Sequence, residues 1–439
     1  LGGLIVDPII VGLIGIVVLV ILLFMGLHVG MTMLIVGFAG YAYVVNPIGA
    51  LGVLKTILYT TGSNYTLTVI PLFVLMGQFA YYSGLSKKLY DASYKWLGHL
   101  PGGLAVATIG ACAFFAAICG SSTATAATFG TVSFPEMKKY RYEPGLATGA
   151  IVAGGTLGIL IPPSVGFILY GVITEQSIGR LFAAGFIPGF ILALSYMTAV
   201  VLQVKRKPEI GPPSERFSWR ERLAALQDVL PVLLLFVFVI GGIFTGIFTA
   251  NEGAAVGAFG TFLYLGWCKR ITLSNVMKSL QDTMRTTAMI FLVIIGAYVF
   301  GYFLAVTKIP MNLAAFISGL AVNRYIILSI IMLMYAFLGC LMDSLAMVLL
   351  TVPIFYPVII GLGFDPIWFG VLMVMVMEMG MITPPVGMNI YVIKGVVGDE
   401  VSMGTIFRGV IPHVFAIIVA LVVMIAFPQL SLWLPGLLY

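Results

Sequence analysis

Charge is the first thing this chain lacks. Of its 439 residues only 9% are Asp, Glu, Lys or Arg, against about 25% in a soluble globular domain. With 61% hydrophobic residues and a mean hydropathy of +1.13, a soluble fold is excluded and a polytopic membrane protein is expected. Histidine is nearly absent. His28, His99 and His413 lie far apart, which excludes a ligand motif built on them. Cysteine is scarce too: Cys112, Cys119, Cys268 and Cys340 show no metal-ligand spacing and read as small buried packing residues. No basic leader precedes the first apolar run, 8–26. It is long enough to span and is expected to be a retained helix rather than a signal peptide.

The few charges are placed in clusters. Basic groups fall at Lys87, Lys88 and Lys95; at Lys138, Lys139 and Arg141; from Lys205 to Arg222; and from Lys269 to Arg285. Segments rich in Lys and Arg stay cytoplasmic, so these are expected inside. The net charge of +6 is thereby read as topology in a chain surrounded by membrane lipid; nucleic-acid or anionic-lipid binding is the weaker alternative.

Glycine and proline are plentiful, and two pairs of breaks organise the chain. Gly120-Ser121-Ser122-Thr123-Ala124-Thr125 is followed by Gly158 and then Ile161-Pro162-Pro163-Ser164. Gly339-Cys340-Leu341-Met342-Asp343-Ser344 is followed by Gly380 and then Thr383-Pro384-Pro385. Lipid tolerates a broken helix only where the freed backbone is buried in protein or lines a cavity. Breaks in corresponding positions of two halves point to a binding site between them.

Taken in order, apolar runs at 8–26, 29–45 and 69–84 read as helices, with a Thr-rich interfacial stretch at 55–66 and a basic loop around Lys87. The run 102–135 is basic at both flanks, which suits a re-entrant hairpin with its tip at Gly120-Ser121-Ser122-Thr123. A broken helix is expected over 144–174 and a returning helix over 181–204. The Pro-rich, basic segment 205–227 is the clearest internal boundary and reads as a cytoplasmic linker. Beyond it come helices at 229–248 and 254–267, and an amphipathic stretch at 272–285 ahead of a helix at 289–305. A second hairpin at 325–353, a broken helix at 368–397 and a helix at 410–427 complete the chain. Asn251-Glu252 reads as a short outer turn that caps the following helix.

Subtraction exposes a repeat. Gly26 and Gly246 are 220 apart, Gly77 and Gly296 are 219 apart, as are Gly120 and Gly339, and Pro162 and Pro384 are 222 apart. The first half, 1–204, crosses five times, because its hairpin returns to its own side. The second half, 228–439, therefore starts on the opposite face, and the two repeats are inverted. This topology puts both termini in the periplasm. All but four of the 22 Lys and Arg then lie inside; the exceptions are Lys55, Arg180, Lys308 and Arg324.

A hairpin tip frees carbonyls at the end of its first arm and amides at the start of its second. The carbonyl end suits a cation and the amide end an anion. Neutral hydroxyl oxygens suit a small cation such as Na⁺. One cation site is read at Ser121 and Ser122 with Gly158, Ile161 and Pro162. Another is read at Gly339, Asp343 and Ser344 with Gly380 and Thr383. Asp343 carries special weight, since an ionised carboxylate within a membrane is costly and usually functional. Glu378 is open to cation or proton binding. No catalytic residue is assigned: a serine hydrolase using Ser121 or Ser122 would need a base, and none neighbours that stretch.

Gly120-Ser121-Ser122 with the Ala-rich run to Phe134-Pro135-Glu136-Met137 is the first of four motifs. The others are Gly158-x-x-x-Pro162-Pro163-Ser164, Asn251-Glu252-Gly253-Ala254-Ala255-Val256-Gly257 and Thr383-Pro384-Pro385-Val386-Gly387-Met388-Asn389. Together they resemble the large membrane subunit of TRAP (tripartite ATP-independent periplasmic) transporters, DctM-like members of the ion transporter superfamily. Gly253 stands where family members often have Ala. The resemblance implies an all-α, elevator-type, Na⁺-driven importer of a small organic acid anion, such as a C4-dicarboxylate or sialic acid, in the bacterial inner membrane. It implies no enzyme activity and no cofactor beyond Na⁺ as coupling ion. It implies two partners: a small four-helix membrane subunit, here expected as a separate chain, and a soluble periplasmic binding protein. On this reading Thr123, Thr125, Pro163, Ser164, Pro384, Pro385 and Asn389 face the substrate. A symporter working without a binding protein is the alternative.

Overall fold

The computed structural model describes residues 7–213, 216–319 and 322–439. The expected periplasmic placement of residues 1–6 and the expected linker residues 214–215 lie outside the described residues. Among the described residues the secondary structure is helical, without strands. Seven helices are long and apolar enough to cross a membrane, and five shorter apolar ones accompany them.

The first half begins with α1 (Pro8–Phe24), started by Asp7, whose carboxylate accepts from the Ile9 amide. It continues with α2 (Val29–Val44), α3 (Pro47–Gly62) and α4 (Val69–Tyr82), a single 3₁₀ turn at Tyr65–Thr68 separating the last two. The basic segment around Lys87 is not a loop. It is a helix, α5 (Leu85–Leu97), because Leu85, Leu89, Ala92 and Ser93 recur at helical spacing and bury one face. There follow α6 (Gly103–Cys119), α7 (Ser122–Lys139), α8 (Pro144–Leu160), α9 (Val165–Thr174) and α10 (Ile178–Arg206).

The second half comprises α11 (Trp219–Phe244), α12 (Ala250–Trp267), α13 (Leu273–Thr307), α14 (Ile309–Ser318), α15 (Arg324–Gly339), α16 (Ser344–Gly361), α17 (Pro366–Gly380), α18 (Met388–Val397), α19 (Met403–Ala426) and α20 (Gln429–Leu438). Helix α11 starts inside the linker because Ser218 and Glu221 form a reciprocal capping box there. Thr249 and Glu252 do the same for α12, so Glu252 serves as a cap, and the Asn251 amide ties α12 to the turn before α4 through the Tyr65 carbonyl at 2.6 Å. Where the sequence pattern separated 272–285 from 289–305, one uninterrupted helix of 35 residues runs through.

Two helices are wrapped by protein on all sides. Every residue of α8 from Gly145 to Leu160 is buried, and in α17 only Pro366 and Met379 of its residues escape full burial. A helix apolar all round belongs in a core. Helix α8 packs on α6, α7 and α19, and α17 packs on α15, α10 and α19. Small residues allow the closest crossing, where a Cβ on Gly149 would stand 2.5 Å from the Gly409 carbonyl carbon. Outside this core, α2 lies along α13 and α4 along α12, with one face of α1 and α2 uncovered.

Candidate binding site between two helical tips

Gly120 and Ser121 turn the chain from α6 into α7. Gly120 has φ +63, and a Cβ there would stand 3.0 Å from the Pro163 carbonyl oxygen; left-handed backbone and close approach both require glycine. Ser121 then caps α7, its Oγ accepting from the Ala124 amide at 3.4 Å. Helix α8 ends beside this tip. A Cβ on Gly158 would lie 2.5 Å from the Ser121 carbonyl oxygen, and the chain stays extended at Ile161 before Ser164 caps α9.

The other tip is built alike but closes differently. Helix α15 ends at Gly339, a turn covers 340–342, and Asp343 caps α16, its Oδ2 accepting from the Leu345 amide at 3.1 Å. Helix α17 ends against it, for a Cβ on Gly380 would fall 2.6 Å from the Gly339 Cα. Both Pro162–Pro163 and Pro384–Pro385 are cis.

Between the tips lies a cavity of about 570 Å³. The N-terminal ends of α7 and α16 both reach it, through Ser121, Ser122, Thr123 and Asp343, Ser344. Gln78, Tyr81, Thr128, Thr131 and Thr286 extend its polar wall, and no Lys, Arg or His among the described residues lines it. A second cavity of about 400 Å³ shares Thr123 and Asp343 with it and adds His28 and Met388. Asp343 is thus the one acidic side chain facing either space among the described residues.

The structure sorts the residues singled out from the sequence. Ser121, Ser122, Thr123, Asp343 and Ser344 meet at the cavity. Gly158, Gly339 and Gly380 stand one layer behind, as packing positions. Thr125 and Thr383 do not face it. Their hydroxyls donate to the carbonyls of Ser121 at 2.8 Å and Met379 at 2.6 Å, the usual fate of a hydroxyl in a membrane helix. Ser164 is spent on its cap, accepting from the Phe167 amide at 3.3 Å. Ile161, Pro162 and Pro163 are outside the lining, as are Pro384 and Pro385, which are exposed.

Asn389 is buried rather than on the cavity, and it joins a link that the sequence did not reveal. Its Nδ2 donates to Ser122 Oγ at 2.8 Å, and Ser122 Oγ donates to Glu378 Oε2 at 2.9 Å. The first tip is thereby hydrogen-bonded to both arms of the second half's broken helix. Ser344 Oγ, Glu378 Oε1 and Asn389 Oδ1 find no partner among the described residues. Hydroxyls and a carboxylate are groups that can coordinate a small cation, and helix N-termini are groups that attract an anion.

The family model of the tripartite ATP-independent periplasmic transporter, DctM component, matches residues 16–430. The chain is 37% identical to the C4-dicarboxylate TRAP transporter large permease protein DctM of Pseudomonas aeruginosa, over 86% of this chain and 88% of that protein. It is 34% identical to the sialic acid TRAP transporter large permease protein SiaM of Vibrio cholerae, over 95% and 96%. The isethionate TRAP transporter permease protein DctMQ of Oleidesulfovibrio alaskensis is 31% identical over 87% of this chain and 60% of its own length. In fold, the chain is similar to the Alcanivorax borkumensis YdaH transporter, with a TM-score of 0.59 at 15% identity over 86% of this chain and 90% of that one.

Proposed function

Since the chain belongs to the DctM-component family of tripartite ATP-independent periplasmic transporters, we propose that it imports a small organic acid anion together with Na⁺. It is a multi-pass transporter subunit and not an enzyme. The family implies a small membrane subunit and a periplasmic binding protein as partners, and the inner membrane as the place of work. Relatives are named for C4-dicarboxylate, sialic acid and isethionate, and an anion of that kind is the proposed cargo.

The observation that carries this reading is the cavity where two capped helix starts converge with hydroxyls and Asp343. Helix N-termini attract carboxylate or sulfonate. With no cationic side chain on the wall, the balancing charge is brought by Na⁺ at the tips. The residues fit such an ion: Ser121 and Ser122 offer neutral oxygens, and Asp343 a carboxylate.

The same geometry supports two inverted repeats. Each half contains a helix pair ending at a tip, followed by a helix broken beside that tip. In the elevator reading, the tips, broken helices, α10 and α19 move as one body against α1–α4 and α11–α13. The cavity wall runs past Tyr81, Thr131 and Thr286, close in sequence to Lys87, Lys138 and Arg285. We take those basic ends as the cytoplasmic face; on that reading the cavity opens inward and both termini are periplasmic.

Reconstitution tests the proposal. Liposomes holding this chain and its small subunit are given a Na⁺ gradient and candidate anions, with and without the cognate binding protein. Uptake that requires both Na⁺ and the binding protein is expected. Uptake driven by Na⁺ alone would establish the stand-alone symporter, and uptake indifferent to Na⁺ would sink the coupling.

A further inference from the structure

The Ser122 hydroxyl stands between a buried carboxyl group and the cavity. Its Oγ donates to Glu378 at 2.9 Å and accepts from Asn389 at 2.8 Å. A hydroxyl has two acceptor positions, so one is left over, and Ser122 itself forms part of the cavity wall. The two hydrogen bonds fix the orientation of the hydroxyl.

Glu378 behind it is 0% exposed and is not on the wall of the cavity. Its Oε1 has no partner among the described residues. The ion pairs among the described residues, Lys138–Glu400 and Lys394–Asp399, lie elsewhere. No Lys, Arg or His is ion-paired with Glu378 among the described residues. A buried carboxylate without a counter-charge is costly. The proposed cation position at the first tip has the opposite want: hydroxyls and carbonyls solvate a cation there, yet supply no charge.

We infer that Glu378 is the counter-charge for the cation bound at the first tip, acting through Ser122. It is a positioning residue: it aims the Ser122 lone pair at the ion and sets negative charge one hydrogen bond behind it. Asn389 completes the clamp. The inference rests on the Na⁺-coupled reading above.

The test uses the purified full chain with its small subunit, comparing Na⁺ with choline. Glu378→Gln keeps the shape and an acceptor for Ser122 but deletes the charge. In choline it is expected to melt close to wild type, because the shape and the Ser122 hydrogen bond are kept. Its gain on adding Na⁺ is expected to shrink, with a Na⁺ dissociation constant raised about tenfold or more, as for other residues that support a metal ligand from behind. Glu378→Asp keeps the charge and is expected to bind Na⁺ more tightly than the Gln variant. A purely structural role would lower melting equally in both media. A Na⁺ constant unchanged in Glu378→Gln, or Asp and Gln variants equally impaired, overturns the inference. If Glu378→Gln yields no folded protein, Glu378→Asp decides: its Na⁺ constant should rise severalfold, and an unchanged one overturns the inference. Absence of any Na⁺ response in the wild type would instead remove the coupled reading, and this inference with it.

Discussion

Gly380 and Gly339 touch backbone to backbone: a Cβ on Gly380 would stand 2.5 Å from the Gly339 carbonyl carbon. Neither backbone has a flexible side chain to yield. Gly380→Ala should therefore push the second tip off α17 and lower uptake by about tenfold or more, a misplacement of order 1 Å being enough for large losses at a positioned site. Gly395, with nothing within 4 Å of its would-be Cβ, supplies the control, and Gly395→Ala should transport normally. Uptake normalised to the amount of protein in the membrane checks both.

Asp343 has two jobs that substitutions can separate. Its carboxylate caps α16 and faces the cavity. Asp343→Asn keeps a cap acceptor of similar quality while removing the charge; Asp343→Ala removes both. Both variants should lose most Na⁺-dependent uptake. Only the Ala variant should also melt earlier, by about 1 kcal/mol of lost capping. Normal uptake in Asp343→Asn would take the cation role away from this residue. Ser121→Ala should likewise reduce Na⁺-dependent uptake without removing the protein from the membrane.

The direction in which the cavity opens is open to chemical labelling. In a background without the four native cysteines, Thr131→Cys and Thr286→Cys should react with a charged, membrane-impermeant maleimide added from the cytoplasmic face. Saturating Na⁺ and anion should change the rate if the tips move. Labelling from the periplasmic face alone would reverse the proposed orientation.

Asn251 joins α12 to the turn ahead of α4, its Nδ2 donating to the Tyr65 carbonyl at 2.6 Å and to Thr68 Oγ1 at 2.9 Å. Asn251→Ala leaves both acceptors without that donor. A loss of about 1–3 kcal/mol is expected, read as a lower melting temperature, with the Na⁺ constant unaltered because the tips are remote.

The tips and breaks were legible because they interrupt apolar runs with residues that lipid does not otherwise accept: Gly120-Ser121, Asp343, and the paired prolines. Which hydroxyls face the cavity was not legible. Ser122 and Thr125 are alike in sequence, yet one looks into the cavity and the other donates to a carbonyl one turn back. The difference is helix phase, set by how α7 lies on α8. The Ser122–Glu378–Asn389 link spans 256 and 267 residues and arises only when the halves pack. Its one trace in the sequence was an acid, Glu378, alone in an apolar run. Helices α3, α5, α14 and α20 escaped notice because short or polar segments carry a weak spanning signal, though α5 shows a helical pattern of buried residues.

Helix α13 is 35 residues long, about 52 Å at 1.5 Å per residue, while the hydrocarbon layer is only about 30 Å thick. It must therefore lean or protrude, and its first turns show which surface they meet. Leu273 and Met284 are largely uncovered, beside Lys278 and Arg285. Oily and basic groups on one rod end belong at the level of the phospholipid headgroups, so the bilayer itself becomes a bearing surface against which this longest strut is braced.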